Sequence, residues 1–66
     1  MTTQQQLGKL VRNHRRRLKL KFDTCAKIAG ISKAALSKIE NGKSNPALST
    51  IEGLSRALKV TFEIRG

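Results

Sequence analysis

Cysteine and histidine are nearly absent from this sequence of 66 residues, which contains one of each, Cys25 and His14. A single cysteine cannot form an internal disulfide, and one cysteine with one histidine cannot supply the ligands of a typical metal site. We therefore expect no metal, and we interpret both as packing residues. Cys25 lies three and four residues from Phe22 and Ala29, on the same side of a predicted helix, which supports that interpretation.

Acidic residues are also scarce. The chain has four of them against fourteen lysines and arginines, which gives a formal charge of +10 and a pI near 11.1. A charge this large for this length predicts a polyanionic partner, with nucleic acid as the first candidate and an anionic membrane surface as the second. No segment approaches the roughly 20 apolar residues of a membrane-spanning helix, and no secretory signal pattern is visible. We expect a cytoplasmic protein that does not bind a membrane.

The groups that carry enzyme chemistry are missing as well. The sequence has no paired carboxylates, no activated cysteine or serine arrangement and no glycine-rich phosphate loop, so we expect neither catalysis nor a cofactor. Tryptophan and tyrosine are absent, and Phe22 and Phe62 are predicted to be buried. RNA binding is disfavoured because no aromatic stacking platform remains. The charges are spread over helix ends and a turn, which argues against a membrane-active cationic peptide.

Apolar residues recur every three or four positions in four stretches, which predicts a single domain of four helices within residues 1–66. The predicted helices span about 3–18, 22–29, 32–40 and 48–58. Capping boxes are predicted at the starts of the first and fourth helices, from Thr3 with Gln6 and from Ser49 with Glu52. In the first helix, Arg12 is expected to stay solvated. The residues of that helix expected to face the core are Leu7, Leu10, Val11, His14 and Leu18.

Residues 26–42 predict a helix, a tight turn and a second helix. Gly30 provides the backbone freedom for the turn, Ser32 can cap the helix that follows, and Gly42 can end that helix in the left-handed conformation. The residues on its inner side are Leu36 and Ile39. The outer side is small and cationic, and it consists of Lys33, Ala34, Ser37 and Lys38. Such a face suits the DNA major groove.

Residues 60–65 change to a period of two and are rich in β-forming side chains, which predicts a short C-terminal strand. One strand in an otherwise helical chain has no partner, and its unpaired backbone groups would be costly to leave exposed. We therefore expect antiparallel pairing with the same strand of a second copy, which makes a homodimer. The apolar residues of this dimer strand are Val60, Phe62 and Ile64. A frayed helical tail is the alternative.

Over about residues 7–60, the sequence resembles a known family, the helix-turn-helix domains of the phage repressor and Cro type (XRE family). The matching residues are Leu7-Gly8, Arg15, Cys25-Ala26, Gly30-Ile31-Ser32, residues 36–42, Pro46, Leu54, Ala57-Leu58 and Val60. The most specific part is residues 37–42. The resemblance implies a mainly α, four-helix, lambda-repressor-like fold, to which the predicted strand is added. That strand resembles the pairing strands of short DNA-binding antitoxins of the HipB type.

The resemblance also implies roles for individual residues. It implies that base edges are approached by Lys33, Ala34 and Lys38. It implies phosphate contacts by Lys21, Ser37, Asn41, Lys43, Ser44 and Asn45. It further implies a partly buried structural ion pair between Arg15 and Glu40, which joins the first helix to the end of the recognition helix. Two positions depart from the family: Phe22 replaces a glutamine that braces the recognition helix, and His14 replaces an aliphatic residue.

The sequence therefore predicts a sequence-specific DNA-binding transcriptional regulator. We expect a repressor that acts as a dimer on a palindromic operator in double-stranded DNA. The alternative is an antitoxin of the HipB type, which would bind a toxin protein as well and repress its own operon.

Overall fold

The computed structural model describes residues 3–60, and within them the fold is mainly helical, as predicted. Its helices are α1 (Thr3–Arg17), α2 (Phe22–Ala29), α3 (Lys33–Glu40) and α4 (Leu48–Leu58). The observed bounds differ from the predicted ones by one residue at the end of α1 and at the start of α3. None of these helices is long and apolar enough to cross a membrane. The described residues contain no strand, and most of the predicted strand, including Phe62 and Ile64, lies outside them.

All four helices end in the same way, with a residue in the left-handed conformation. These residues are Lys19, Gly30, Gly42 and Lys59, with φ values of 53°, 76°, 73° and 56°. After each of them, the next N–H donates to the carbonyl five residues earlier, as Leu20 does to Arg15 at 3.0 Å. This geometry satisfies carbonyls that the helix leaves without a partner. The roles predicted for Gly30 and Gly42 are confirmed, whereas lysine occupies the other two positions without any comparable signal in the sequence.

The start of α4 differs from its predicted capping box. α4 begins at Leu48, and the carbonyl of Ala47 accepts the first helical hydrogen bond, from the Ile51 N–H at 3.1 Å. Ser49 therefore lies inside the first turn and is not an N-cap, so the predicted capping box with Glu52 is wrong. Thr3 is the first described residue of α1, so the capping box predicted there with Gln6 stays a prediction. Among α2, α3 and α4, a side-chain cap is present at the start of α3 alone.

The core lies between the helices, and α2 packs mainly against α4 while α1 packs mainly against α3. Its buried apolar residues are Val11, Cys25, Ala26, Ala29, Leu36, Ile39, Leu54, Ala57 and Leu58. The prediction that Leu10 and Leu18 face this core is wrong, because both are nearly half exposed. Leu18 lies beyond the end of α1, where helical periodicity no longer applies. On α1 the buried line is rotated toward Gly8 and Arg15, which places Leu10 at its edge.

Two buried glycines explain how closely the helices approach. A Cβ atom on Gly8 would lie closer than 3.0 Å to the carbonyl oxygens of both Ile39 and Glu40, at the end of α3. A Cβ atom on Gly53 would collide in the same way with the carbonyl of Ala29, at the end of α2. Each glycine therefore allows the backbone of a neighbouring helix end to lie directly against the helix that carries it. Helical periodicity in the sequence marks neither position as part of the core.

Candidate nucleic-acid interface

The turn between α2 and α3 fixes the direction in which α3 leaves the core. Gly30 has a left-handed backbone, and the Ile31 N–H donates to the Ala26 carbonyl at 3.0 Å. Ile31 is half-buried and packs against the core. Ser32 then adopts an extended backbone, and its hydroxyl oxygen accepts a hydrogen bond from the Ala35 N–H at 3.0 Å. The first turn of α3 is therefore held at its start by a side chain.

The outer face of α3 is exposed along its whole length. Four side chains on this face, Lys33, Ala34, Ser37 and Lys38, are solvent-exposed, while Leu36 and Ile39 on the opposite side are buried. The structure thus places the three residues expected to approach base edges on one accessible face. With eight residues, α3 is about 12 Å long, so it offers two turns to a partner.

The residues expected to contact phosphates lie at two places. Lys21 is exposed at the N-cap of α2, where it has an extended backbone and makes no side-chain cap. The second place is α3, with Ser37 on its outer face and the others in the loop that follows the helix. Asn41, Lys43 and Asn45 are exposed, and Ser44 is half-buried. The left-handed turn at Gly42 directs this loop away from the helix axis, because the Lys43 N–H bonds back to the Lys38 carbonyl at 2.9 Å.

The structure brings Arg15 of α1 and Glu40 of α3 into a two-point ion pair. Arg15 Nε donates to Glu40 Oε2 at 2.8 Å, and Nη2 donates to Oε1 at 3.1 Å. The Glu40 side chain is 4% exposed and that of Arg15 is 16% exposed. The hydrogen bond to Glu40 raises the pKa of Arg15, although burial opposes the shift. This geometry is the strong, bidentate kind, and it attaches the end of α3 to α1.

The guanidinium of Arg15 has two further contacts. Its Nη1 donates to the Leu20 carbonyl at 3.3 Å, and the centroid of the Phe22 ring lies 5.4 Å from Cζ, within cation–π range. Phe22 therefore supports the ion pair. The family that this sequence resembles often has a glutamine at this position. Because the two charges are largely dry, the loss of either one would leave the other poorly solvated.

Arg12 is a residue of this site that the sequence analysis assigned to solvent. Its Nε lies 3.4 Å from Glu40 Oε1, and its Nη2 donates to Asn41 Oδ1 at 3.2 Å. Asn41 in turn donates from Nδ2 to the Ser37 hydroxyl at 3.4 Å. Two guanidinium groups thus share the one carboxylate of Glu40, and Arg12 remains 39% exposed. The positions of Arg12, four residues after Gly8 and three before Arg15, were the available signal.

Asp23 is the second residue that sequence analysis missed. It lies in the first turn of α2, and its Oδ2 is 3.1 Å from Nζ of Lys33, the first residue of α3. Both side chains are exposed, at 68% and 67%. The outer face of α3 therefore has one carboxylate next to one of its lysines. Charge spacing alone did not indicate this pair, because the tight turn brings the two residues together.

Two other residues named in the sequence analysis, Cys25 and Val60, lie in the core or against it. Cys25 is fully buried behind the tight turn, and desolvation raises the pKa of its thiol, as does the nearby charge of Glu40, against a smaller opposite effect of Arg15. Val60 packs against the core of its own domain. Its N–H donates to the Ser55 carbonyl at 3.2 Å, and its carbonyl accepts from the Ser55 hydroxyl. Of the predicted dimer strand, then, Val60 is bonded within the described domain.

Comparison with known proteins gives consistent matches. A family model described as helix-turn-helix matches residues 25–64. Two curated Bacillus subtilis (strain 168) proteins match over 57 residues, or 85% of this chain: the HTH-type transcriptional regulator RghRB at 46% identity and the HTH-type transcriptional repressor RghR at 40%. These matches cover 41% and 42% of the two proteins. The chain therefore spans about two fifths of the length of the curated relatives it matches.

Two solved structures are similar over 88% of this chain. An HTH_3 family transcriptional regulator from Vibrio cholerae matches with a TM-score of 0.80 and 31% identity, over 33% of its own length. The restriction-modification controller protein C.AhdI from Aeromonas hydrophila matches with a TM-score of 0.83 and 26% identity, over 88% of its length.

Proposed function

Because this chain belongs to the helix-turn-helix family of transcription regulators, we propose that it binds double-stranded DNA sequence-specifically and represses transcription as a homodimer on a palindromic operator. The observation that carries the proposal is the exposed outer face of α3, which presents two lysines and two small side chains beside a polar loop. The formal charge of +10 favours a polyanion over other partners. DNA binding also makes the cytoplasm, at the nucleoid, the proposed site of action.

Base recognition is assigned to three residues of α3. Lys33 and Lys38 can donate to O6 and N7 of guanine, and the methyl group of Ala34 can contact the methyl group of thymine. Lysine carries a point charge on a flexible stem, so each contact selects its base only moderately. Lys33→Ala or Lys38→Ala should therefore relax the base preference at one position in each half-site.

Phosphate binding is assigned to Lys21, Ser37 and the loop after α3, with Arg12 added through its hydrogen bond to Asn41. These contacts position the helix and supply most of the affinity, but they do not select a sequence. If each subunit neutralises about four phosphates, the logarithm of dimer affinity should fall with the logarithm of salt concentration at a slope near −7. Lys43→Ala should weaken binding to all sequences alike, and a slope near zero would contradict the electrostatic part of the proposal.

A dimer is proposed because one short helix offers few base-reading side chains. Two copies related by a twofold axis would place their recognition helices in successive major grooves, about 34 Å apart, on half-sites centred about 10 base pairs apart or a multiple of that. Pairing of the predicted strand, residues 60–65, between copies is the proposed contact, and the pairing would begin after Val60, whose N–H and carbonyl are bonded to Ser55. Truncation after Val60 should give a monomer in analytical ultracentrifugation, and a truncated chain that stays dimeric would exclude this contact.

Selection of bound sites from a random DNA library tests the whole proposal. The full chain should enrich one palindromic sequence, and Lys33→Ala should blur it at one symmetric pair of positions. A pool with no enriched sequence, at a salt concentration where the protein still binds DNA, would contradict sequence-specific regulation. The antitoxin alternative, with a toxin partner, stays a prediction that no described contact favours.

A further inference from the structure

The ion pair between Asp23 and Lys33 spans the tight turn of the helix-turn-helix unit. Asp23 belongs to the first turn of α2, Lys33 begins α3, and their charged atoms are 3.1 Å apart. Only four residues of the whole chain are acidic. Among those in residues 3–60, Glu40 is buried in its pair with Arg15, and Glu52 is exposed on α4. Asp23 is thus the carboxylate that lies beside the base-facing side of α3.

We propose that Asp23 is a specificity-determining residue, which restricts the base that Lys33 can read. This inference rests on the proposed function, since it assumes that Lys33 faces DNA bases. The proposed target of the Asp23–Lys33 pair is one G·C base pair or two adjacent G·C base pairs. Lys33 donates to O6 and N7 of a guanine, and the Asp23 carboxylate faces the N4 amino group of a cytosine.

A lysine without an ion-pair partner is free to choose among hydrogen-bond acceptors. An ammonium group has three equivalent N–H donors on a four-carbon stem, so near DNA it can contact a phosphate as readily as a guanine. Pairing with Asp23 uses one donor and holds Nζ at the turn side of α3, which leaves two donors for one guanine. The carboxylate also repels phosphate oxygens, and in the major groove it finds a donor only on cytosine or adenine. Both effects favour the correct base over the backbone.

The same pair contributes little to folding. Its two side chains are about two-thirds exposed, and exposed ion pairs of this kind stabilise a fold only slightly. Asp23→Asn keeps the size of the side chain and removes only its charge, so the variant should fold like the wild type. A change in DNA recognition by this variant would then reflect the interface and not the stability of the domain.

A charge-matched pair of variants tests the proposal. Asp23→Asn and Glu52→Gln each remove one negative charge from an exposed side chain, but within residues 3–60 Glu52 forms no ion pair. For the full chain and each variant, affinity is measured by fluorescence anisotropy at one salt concentration. The probes are the site selected by the wild type, its single-base variants, and unrelated DNA of the same length.

Asp23→Asn should lose about two- to fivefold in discrimination at the base pair read by Lys33 in each half-site, as expected for the loss of an exposed pair. Its affinity for unrelated DNA should rise more than that of Glu52→Gln, which should keep the wild-type base preference. In a Lys33→Met background, Asp23→Asn should change that preference less than it does in the wild type, because only the contact of the carboxylate with cytosine remains to be lost. An unchanged preference in Asp23→Asn, or an equal change in Glu52→Gln, would overturn the inference alone. A wild-type chain that selects no site would overturn the proposed function with it.

Discussion

Replacement of Gly8 by alanine should destabilise the domain, although alanine is the better helix former. Gly8 lies in the interior of α1, where a Gly→Ala change in a solvated helix stabilises by about 1 kcal/mol. Here the added methyl group would lie closer than 3.0 Å to the carbonyl oxygens of Ile39 and Glu40. Those atoms belong to the backbone at the end of the recognition helix, so they cannot move aside as a flexible side chain would.

The size of the effect follows from these opposing contributions. Insertion of a methyl group into a tightly packed contact typically costs about 1–3 kcal/mol, and a backbone obstacle places the cost at the upper end. After the gain in helix propensity, we expect a net loss of about 2 kcal/mol. For a domain of this size, that loss lowers Tm by roughly 10 °C, and it is a large fraction of a total stability of about 3–10 kcal/mol.

Urea unfolding followed by far-ultraviolet circular dichroism measures this loss directly. Asn13→Ala is the matched control, because Asn13 is exposed on the same helix and alanine there should stabilise by a few tenths of a kcal/mol. The two variants should therefore shift the unfolding midpoint in opposite directions at a similar m-value. If Gly8→Ala were as stabilising as Asn13→Ala, the added methyl group would meet no carbonyl oxygen. The close approach of α1 and α3 at Gly8 would then be refuted.

Three further predictions concern charges and the buried thiol. Glu40→Gln should cost about 3 kcal/mol in urea unfolding, because it leaves the Arg15 guanidinium without its main partner, and the double change Arg15→Met with Glu40→Leu should recover much of the loss; equal losses in the single and double variants would contradict this. Burial raises the pKa of Cys25, so its contribution to stability is complete below the unfolded-state pKa of about 8.5 and is lost as pH rises through the higher folded-state pKa. Stability measured between about pH 8 and pH 10 should therefore fall less steeply in Cys25→Ala than in the wild type, and parallel curves would exclude this cause. Arg12→Met should weaken DNA binding about fivefold through the loss of a charged hydrogen bond to Asn41, whereas Arg16→Met, which removes the same charge from an exposed position, should weaken it less; equal effects would reduce Arg12 to a general charge.

The sequence alone predicted the helices closely, because their signals are local. Apolar spacing defines each helix, and Ser32 and Gly30 act within a few residues of where they stand in the chain. The same spacing separated the outer face of α3 from its buried side, with Leu36 and Ile39 inward. Apolar periodicity and the positions of the charges in the sequence were therefore enough to predict α3 and its two exposed lysines.

Contacts between distant parts of the chain were decided only by the tertiary structure. Apolar periodicity placed both Leu10 and Val11 in the core. Val11 is buried and Leu10 is not, because the close approach at Gly8 and the ion pair of Arg15 with Glu40 turn that side of α1 inward. A glycine and an arginine give no hydrophobic signal, so spacing could not show that they pack. The helix-turn-helix pattern predicts that α3 reads DNA. The packing of α1 and α2 around α3 decides which side chains hold α3 in place. The same packing places a carboxylate beside the first lysine of α3.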